Sequence, residues 1–190
     1  MRLFLALDLP DSLRRELDRL QHRLRSRLTG WRWVRPDGIH LTVRFLGEVA
    51  EADDARQRAA WRDAAASCPR MRFQVGGTGV FPPRGAPRVL WAGVGGIDPA
   101  DGLKRLSEAV ERAAWSQGFR PETRPFRPHL TVARADRRGR PESPPESDAG
   151  VLGEIEAREI VLFQSRLDPR GAQYTRLDAF PLADPTDVPT

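Results

Sequence analysis

Two identical tetrapeptides, His40-Leu41-Thr42-Val43 and His129-Leu130-Thr131-Val132, contain two of the three histidines in the chain. Each alternates polar and apolar residues as a β-strand does, with successive side chains on opposite faces. Each copy therefore asks for a strand that shows an imidazole and a hydroxyl on one face and anchors Leu and Val in a core on the other. If the two strands belong to two lobes that face each other, the two histidines and two threonines converge in a phosphate-sized cleft with approximate twofold symmetry.

The rest of the chain reads as a mixture of strands and helices. Residues 2–9 form a buried strand, and Pro10-Asp11-Ser12 supplies a stop and an N-cap for a helix with Leu13, Leu17, Leu20 and Leu24 at helical spacing. Residues 31–34 are aromatic and extended, Pro36-Asp37-Gly38 signals a turn, and the first tetrapeptide lies on a strand over 39–46 that closes at Gly47. A second helix is expected over 51–66, strands over 71–81 and 88–94 around Pro82-Pro83-Arg84-Gly85, and a third helix over 99–117 ended by Gly118. The second tetrapeptide opens a short strand over 129–134. Polar, Pro-rich residues 135–150 read as a mobile loop, and 155–167 with 173–180 as a closing hairpin. The elements do not alternate as in a doubly wound sheet. The expected class is α+β and bilobal, with two mainly antiparallel sheets, outer helices, a central cleft and a pseudo-twofold. Residues 1–182 would form this single domain and 183–190 a frayed tail.

The chemistry that uses two imidazoles and two hydroxyls is in-line displacement at phosphorus. One imidazole takes a proton from the attacking water and the other protonates the departing ribose oxygen, and histidine suits both tasks because its pKa lies near neutrality. Thr42, Thr131 and a nearby guanidinium can hydrogen-bond the non-bridging oxygens. The scheme requires no metal and no cofactor, and two widely spaced histidines without a nearby His, Cys or paired carboxylate make an incomplete ligand set. His22, among arginines in the first helix, reads as a solvated surface residue.

Charge fits a phosphate-bearing partner. The formal charge is +5 and Lys104 is the only lysine, so the positive groups are almost all guanidiniums, which grip two oxygens at once. The single cysteine, Cys68, excludes an intramolecular disulfide framework and a Cys-based zinc cluster. The opening apolar run soon meets Pro10 and Asp11, too short for a membrane span and without a cleavage pattern, so the expectation is a cytoplasmic chain with no membrane partner.

With these residues on the page, the chain resembles the two-histidine phosphoesterases, and specifically the bacterial RNA 2′,3′-cyclic phosphodiesterases also called 2′-5′ RNA ligases. The resemblance covers Arg2-Leu3-Phe4-Leu5-Ala6-Leu7-Asp8-Leu9-Pro10, the block from His40 with Phe45-Leu46-Gly47-Glu48, and Val89-Leu90-Trp91. It continues through Arg124-Pro125-Phe126 to Pro128-His129-Leu130-Thr131 and Arg134, then Gly171 and Tyr174 to Leu177. It implies a bilobal α+β fold, a cleft between lobes and hydrolysis of terminal 2′,3′-cyclic phosphates on RNA to leave a 2′-phosphate; separately, the expectation for the chain is a monomer. It further implies His40 as general acid, His129 as general base, Phe45 stacked on a base and Arg134 against phosphate. Arg44 and Ala133 depart from the family pattern. By strict alternation Arg134 points away from the face of His129, so its role requires a bend or bulge at the strand end.

The ligase name describes the reverse reaction, and no Gly-rich P-loop or adenylating lysine motif could couple joining to a nucleotide. Two other readings compete. The substrate could be a small cyclic nucleotide or a 2′-5′ oligonucleotide. The basic charge and the aromatics Phe45 and Trp91 also fit a non-catalytic RNA-binding module.

Overall fold

In the computed structural model the apolar run at the N-terminus forms β1 (Arg2–Leu7), followed by α1 (Asp11–Arg25), β2 (Trp31–Trp33), a 3₁₀ turn (Pro36–Gly38) and β3 (Leu41–Glu48). Then come α2 (Ala55–Ala66), β4 (Met71–Phe81), β5 (Val89–Asp98), α3 (Gly102–Ser116), β6 (His129–Ala135), β7 (Val151–Ala157), β8 (Glu159–Asp168) and β9 (Gly171–Pro181). The structure describes residues 1–50, 55–136, 139–144, 150–168 and 171–184.

The strands form one sheet in the order β7-β4-β5-β6-β3-β1-β8-β9, with β2 pairing the free stretch of β6. Every pairing between named strands is antiparallel. The two expected sheets are its halves, β7-β4-β5-β6 and β3-β1-β8-β9, and a single residue pair, Leu41 opposite Leu130, joins them. The halves mirror each other: β1, α1 and β3 in one correspond to β5, α3 and β6 in the other, which is the expected pseudo-twofold.

One face of the sheet is covered. Leu13, Leu17, Leu20 and Leu24 of α1 are almost wholly removed from water with Leu3, Leu5 and Leu7 of β1, each side chain worth about 1.5–3 kcal/mol of burial. α1 packs on β7, α3 on β3 and β5, and α2 on α3 and β9. The helix starts without a side-chain cap: Pro10 holds the cap position and Asp11 sits in the first turn, where the helix dipole favours a carboxylate. The opposite face carries a small separate cluster of Phe4, Ala6, Val161 and Phe163, with Tyr174 against it. No helix among the described residues is long and apolar enough to cross a membrane.

Three expectations are corrected. Residues 155–167 are not one strand: the chain turns at Arg158, sending β7 to pair with β4 in one half and β8 to pair with β1 in the other. Buried Ile155 and Ala157 precede the break and Ile160, Val161 and Leu162 follow it; only the charged pair Arg158-Glu159 interrupts the pattern, and no Gly or Pro marks the change. The strand expected to stop at Val94 continues to Asp98. The described part of the supposed mobile loop is tied down: Asp136 N donates to Gly30 O at 2.9 Å and Trp31 Nε1 to Glu142 O at 2.8 Å. Residues 51–54, 137–138 and 145–149 lie outside the described residues. At the tail, Ala183 exchanges backbone hydrogen bonds with Cys68 and Arg70 at 2.9 Å each, and residues 185–190 lie outside the described residues.

The one wholly buried glutamine cross-links the layers. Gln21 Nε2, on α1, donates to Val34 O at 2.7 Å and to Val132 O at 2.8 Å, tying the helix to the strand that holds the second tetrapeptide. Replacing it with leucine removes both bonds from a dry site, so Gln21→Leu is expected to lower stability by about 1–3 kcal/mol in urea unfolding with an unchanged m-value.

Candidate active site

Pairing of Leu41 with Leu130 fixes how the two tetrapeptides meet. Continuing the antiparallel register by one residue sets His40 across from Thr131 and Thr42 across from His129. All four side chains therefore share the face opposite the buried leucines, the face that no helix covers. In a regular ladder the two imidazoles are diagonal neighbours, about 7–8 Å apart with their Cβ atoms somewhat closer.

Both strands bulge at the last residue of the tetrapeptide. Leu5 pairs with Arg44 and Ala6 with Thr42, so Val43 has no partner on β1; Leu90 pairs with Ala133 and Trp91 with Thr131, so Val132 has none on β5. Two successive residues are buried at each bulge, Val43 with Arg44 and Val132 with Ala133, and the alternation then restarts one residue late. That reset turns Phe45 and Arg134, each five residues after its histidine, onto the open face. Phe45 is 54% exposed and tilts against Phe4 at 6.0 Å between centroids. Arg134 lies close enough for its charge to disfavour protonation of both histidines. The structure thus brings all six expected residues, His40, Thr42, Phe45, His129, Thr131 and Arg134, to one face. His22 is exposed on α1, away from them.

The two imidazoles are held alike. His40 Nδ1 lies 2.9 Å from Gly38 O and His129 Nδ1 lies 2.6 Å from Arg127 O, in each case the carbonyl two residues upstream. A carbonyl can only accept, so Nδ1 carries the hydrogen and Nε2 is left to exchange protons. Their surroundings differ. His40 stacks on Phe4 at 4.6 Å and meets the edge of Tyr174 at 4.9 Å, with Phe163 behind. His129 has one aromatic neighbour, Phe81, edge-on at 5.0 Å. Burial pushes His40 down to about 4, with Gly38 and Asp8 opposing and Arg134 and Arg14 adding to it. Burial also lowers His129, partly offset by its hydrogen bond to Arg127 and reinforced by Arg134.

Several residues that shape the site were not singled out from sequence. Arg14 on α1 donates to the carbonyls of Pro36 and Asp37 at 3.0 Å and Ile39 at 3.3 Å, and pairs with Asp8, which pins the turn before His40. Tyr174 lies against Gly38: a Cβ there would come within 3.2 Å of its ring. Trp91, named from sequence only as an aromatic of the RNA-binding alternative, faces the same side beside Thr131 and Phe81, and fits only because Gly79 opposite has no Cβ, which would lie 2.3 Å from the indole. Phe4 and Tyr174 fall inside the quoted family segments, but no spacing rule marks them as neighbours of His40. Arg44 has a structural role: it is turned to the covered side, with Nε 2.6 Å from Glu111, Nη1 donating to Phe45 O at 2.7 Å and Nη2 to Arg120 O. Among the described residues no group of three or more His, Cys, Asp or Glu side chains is placed to hold a metal ion.

Comparison with known proteins agrees with this geometry. The family model of the LigT-like phosphoesterases matches residues 7–91 and 96–174. The RNA 2′,3′-cyclic phosphodiesterase of Archaeoglobus fulgidus is 36% identical over 186 residues, 95% of this chain and 99% of its own length. The protein of that name from Thermus thermophilus is 35% identical over 190 residues, 96% of this chain and 90% of its own. Among crystal structures, TT0787 of Thermus thermophilus superposes with a TM-score of 0.81 at 32% identity, covering 97% of this chain and 100% of that one. E. coli LigT complexed with 3′-AMP gives 0.68 at 27% identity, with 95% and 97% covered. The chain belongs to the LigT-like phosphoesterase family.

The aromatic wall accounts for the depression of His40, so removing it should release the imidazole. In Tyr174→Leu, NMR titration of the ring protons is expected to show His40 rising from about 4 toward the ordinary 6.5, while His129, which Tyr174 does not touch, keeps its wild-type titration.

Proposed function

We propose that this protein hydrolyses the terminal 2′,3′-cyclic phosphate of RNA to a 2′-phosphomonoester and a free 3′-hydroxyl, without a metal. The observation that carries the reading is the pair of imidazoles on one face, each with Nδ1 committed to a backbone carbonyl and Nε2 free. The family and its relatives, named for that activity, support it.

His129 is the more open of the two histidines and acts as the base: its neutral Nε2 takes a proton from water as the water oxygen bonds to phosphorus. His40 acts as the acid, delivering a proton to the ribose 3′ oxygen as the P–O3′ bond breaks. Burial favours neutral His40 in the free protein, and the negative charge of a bound phosphate raises its pKa and supplies the protonated form. Thr42 and Thr131 donate hydroxyls to the non-bridging oxygens, Arg134 balances their charge, and Phe45 offers a ring to a base. Joining is the same displacement with an RNA 5′-hydroxyl in place of water: its oxygen bonds to phosphorus as the P–O3′ bond breaks, giving a 2′-5′ linkage and a free 3′-hydroxyl, and water at its high concentration makes this the side reaction.

The test is incubation with a short RNA ending in a 2′,3′-cyclic phosphate, with a chelator present, reading the product by mass and phosphatase sensitivity. A 2′-monophosphate product is expected, with turnover falling about a hundredfold or more in each of His40→Ala and His129→Ala. Binding without turnover would instead favour the RNA-binding module, and activity restored only by one divalent ion would overturn the metal-free scheme.

A further inference from the structure

Arg134 is not alone on the open face. β2 pairs with β6 so that Arg32 lies directly opposite Arg134. Trp31 is buried and Trp33 packs against the same core, so Arg32 between them points to the other face, beside Arg134. Both arginines are exposed. Like charges directly opposite one another in a sheet repel. Some arginines sit against carboxylates, as Arg14 with Asp8 and Arg35 with Asp37, and others such as Arg15 and Arg23 do not; among the described residues neither Arg32 nor Arg134 has such a partner, and these two stand directly opposite each other beside the site. Two unmatched guanidiniums side by side next to a phosphoesterase site call for an anion larger than one cyclic phosphate.

We infer that Arg32 forms a second phosphate subsite, holding the phosphodiester that precedes the terminal nucleoside, and that the protein thereby selects oligonucleotide ends over cyclic mononucleotides. This rests on the reading of the two-histidine site given above. Arg134 is on the strand of His129 and serves the reacting phosphate. Arg32 is one strand further out, about 4.8 Å away along the hydrogen-bonding direction, with a long side chain that reaches the next phosphate of the chain. A mononucleotide has no group to place there.

The experiment measures kcat/KM for three substrates: a cyclic mononucleotide, a dinucleotide with a 2′,3′-cyclic phosphate end, and the same dinucleotide with a neutral methylphosphonate linkage. Wild type is expected to prefer the charged dinucleotide over the neutral one about tenfold, a preference that Arg32→Gln reduces to about twofold or less. The slope of log kcat/KM against log salt for the charged dinucleotide should also become shallower by about one in the variant. If Arg32→Gln retains the full preference, or loses activity equally on both dinucleotides, the subsite is wrong while the two-histidine reading stands. If wild type turns over none of the three, both fall.

Discussion

Where Leu41 meets Leu130, two strands far apart in sequence lie side by side with neither leucine exposed to water. An antiparallel pair at that point relates the strands by a local twofold, and the same tetrapeptide on both sides makes the relation chemical as well as geometric. Whatever stands before one leucine faces what stands after the other, so each histidine gains a threonine as its neighbour across the seam. The bulges at Val43 and Val132 then add one further residue from each strand to the open face. Without that single pairing the two halves of the sheet would each hold half a site.

The symmetry is broken by packing. Phe4, Phe163 and Tyr174 enclose His40, whereas His129 has Phe81 alone. Identical tetrapeptides are thereby given different surroundings, and burial alone favours the proton on His129, so His40 serves as the acid only when the charge of the bound phosphate raises its proton affinity. The enclosure has a cost in stability at low pH. Because His40 binds its proton less well folded than unfolded, its contribution is complete above the ordinary 6.5 and declines as pH falls through that value toward about 4.

Much of this was legible in the amino-acid sequence because the decisive signals are local. Leucines at helical spacing gave α1, a continuous apolar run gave β1, alternation gave β6, and the repeated tetrapeptide gave the site. What the sequence hid depends on long-range pairing. The bulge that brings Arg134 round was required by its assumed role but has no local mark, since Val132 and Ala133 are unremarkable strand residues. The division of residues 155–167 between the two halves of the sheet was hidden for the same reason: Arg158 and Glu159 interrupt the alternation without a Gly or Pro, and only the partners of β7 and β8 show that the chain changes neighbours there. The enclosure of His40 draws on β1, β8 and β9, which meet only in the folded chain.

The pairing of two histidines as acid and base is tested most directly by the pH dependence of kcat/KM on a cyclic-ended RNA, under conditions where the chemical step limits the rate. The rate must rise as the base loses its proton and fall as the acid loses its own. Both imidazoles of the free protein lie below the ordinary 6.5, so a bell with its maximum on the acid side of that value is the result expected. A profile that is flat, or that has one limb only, between about pH 3 and 8 would contradict the acid–base pair.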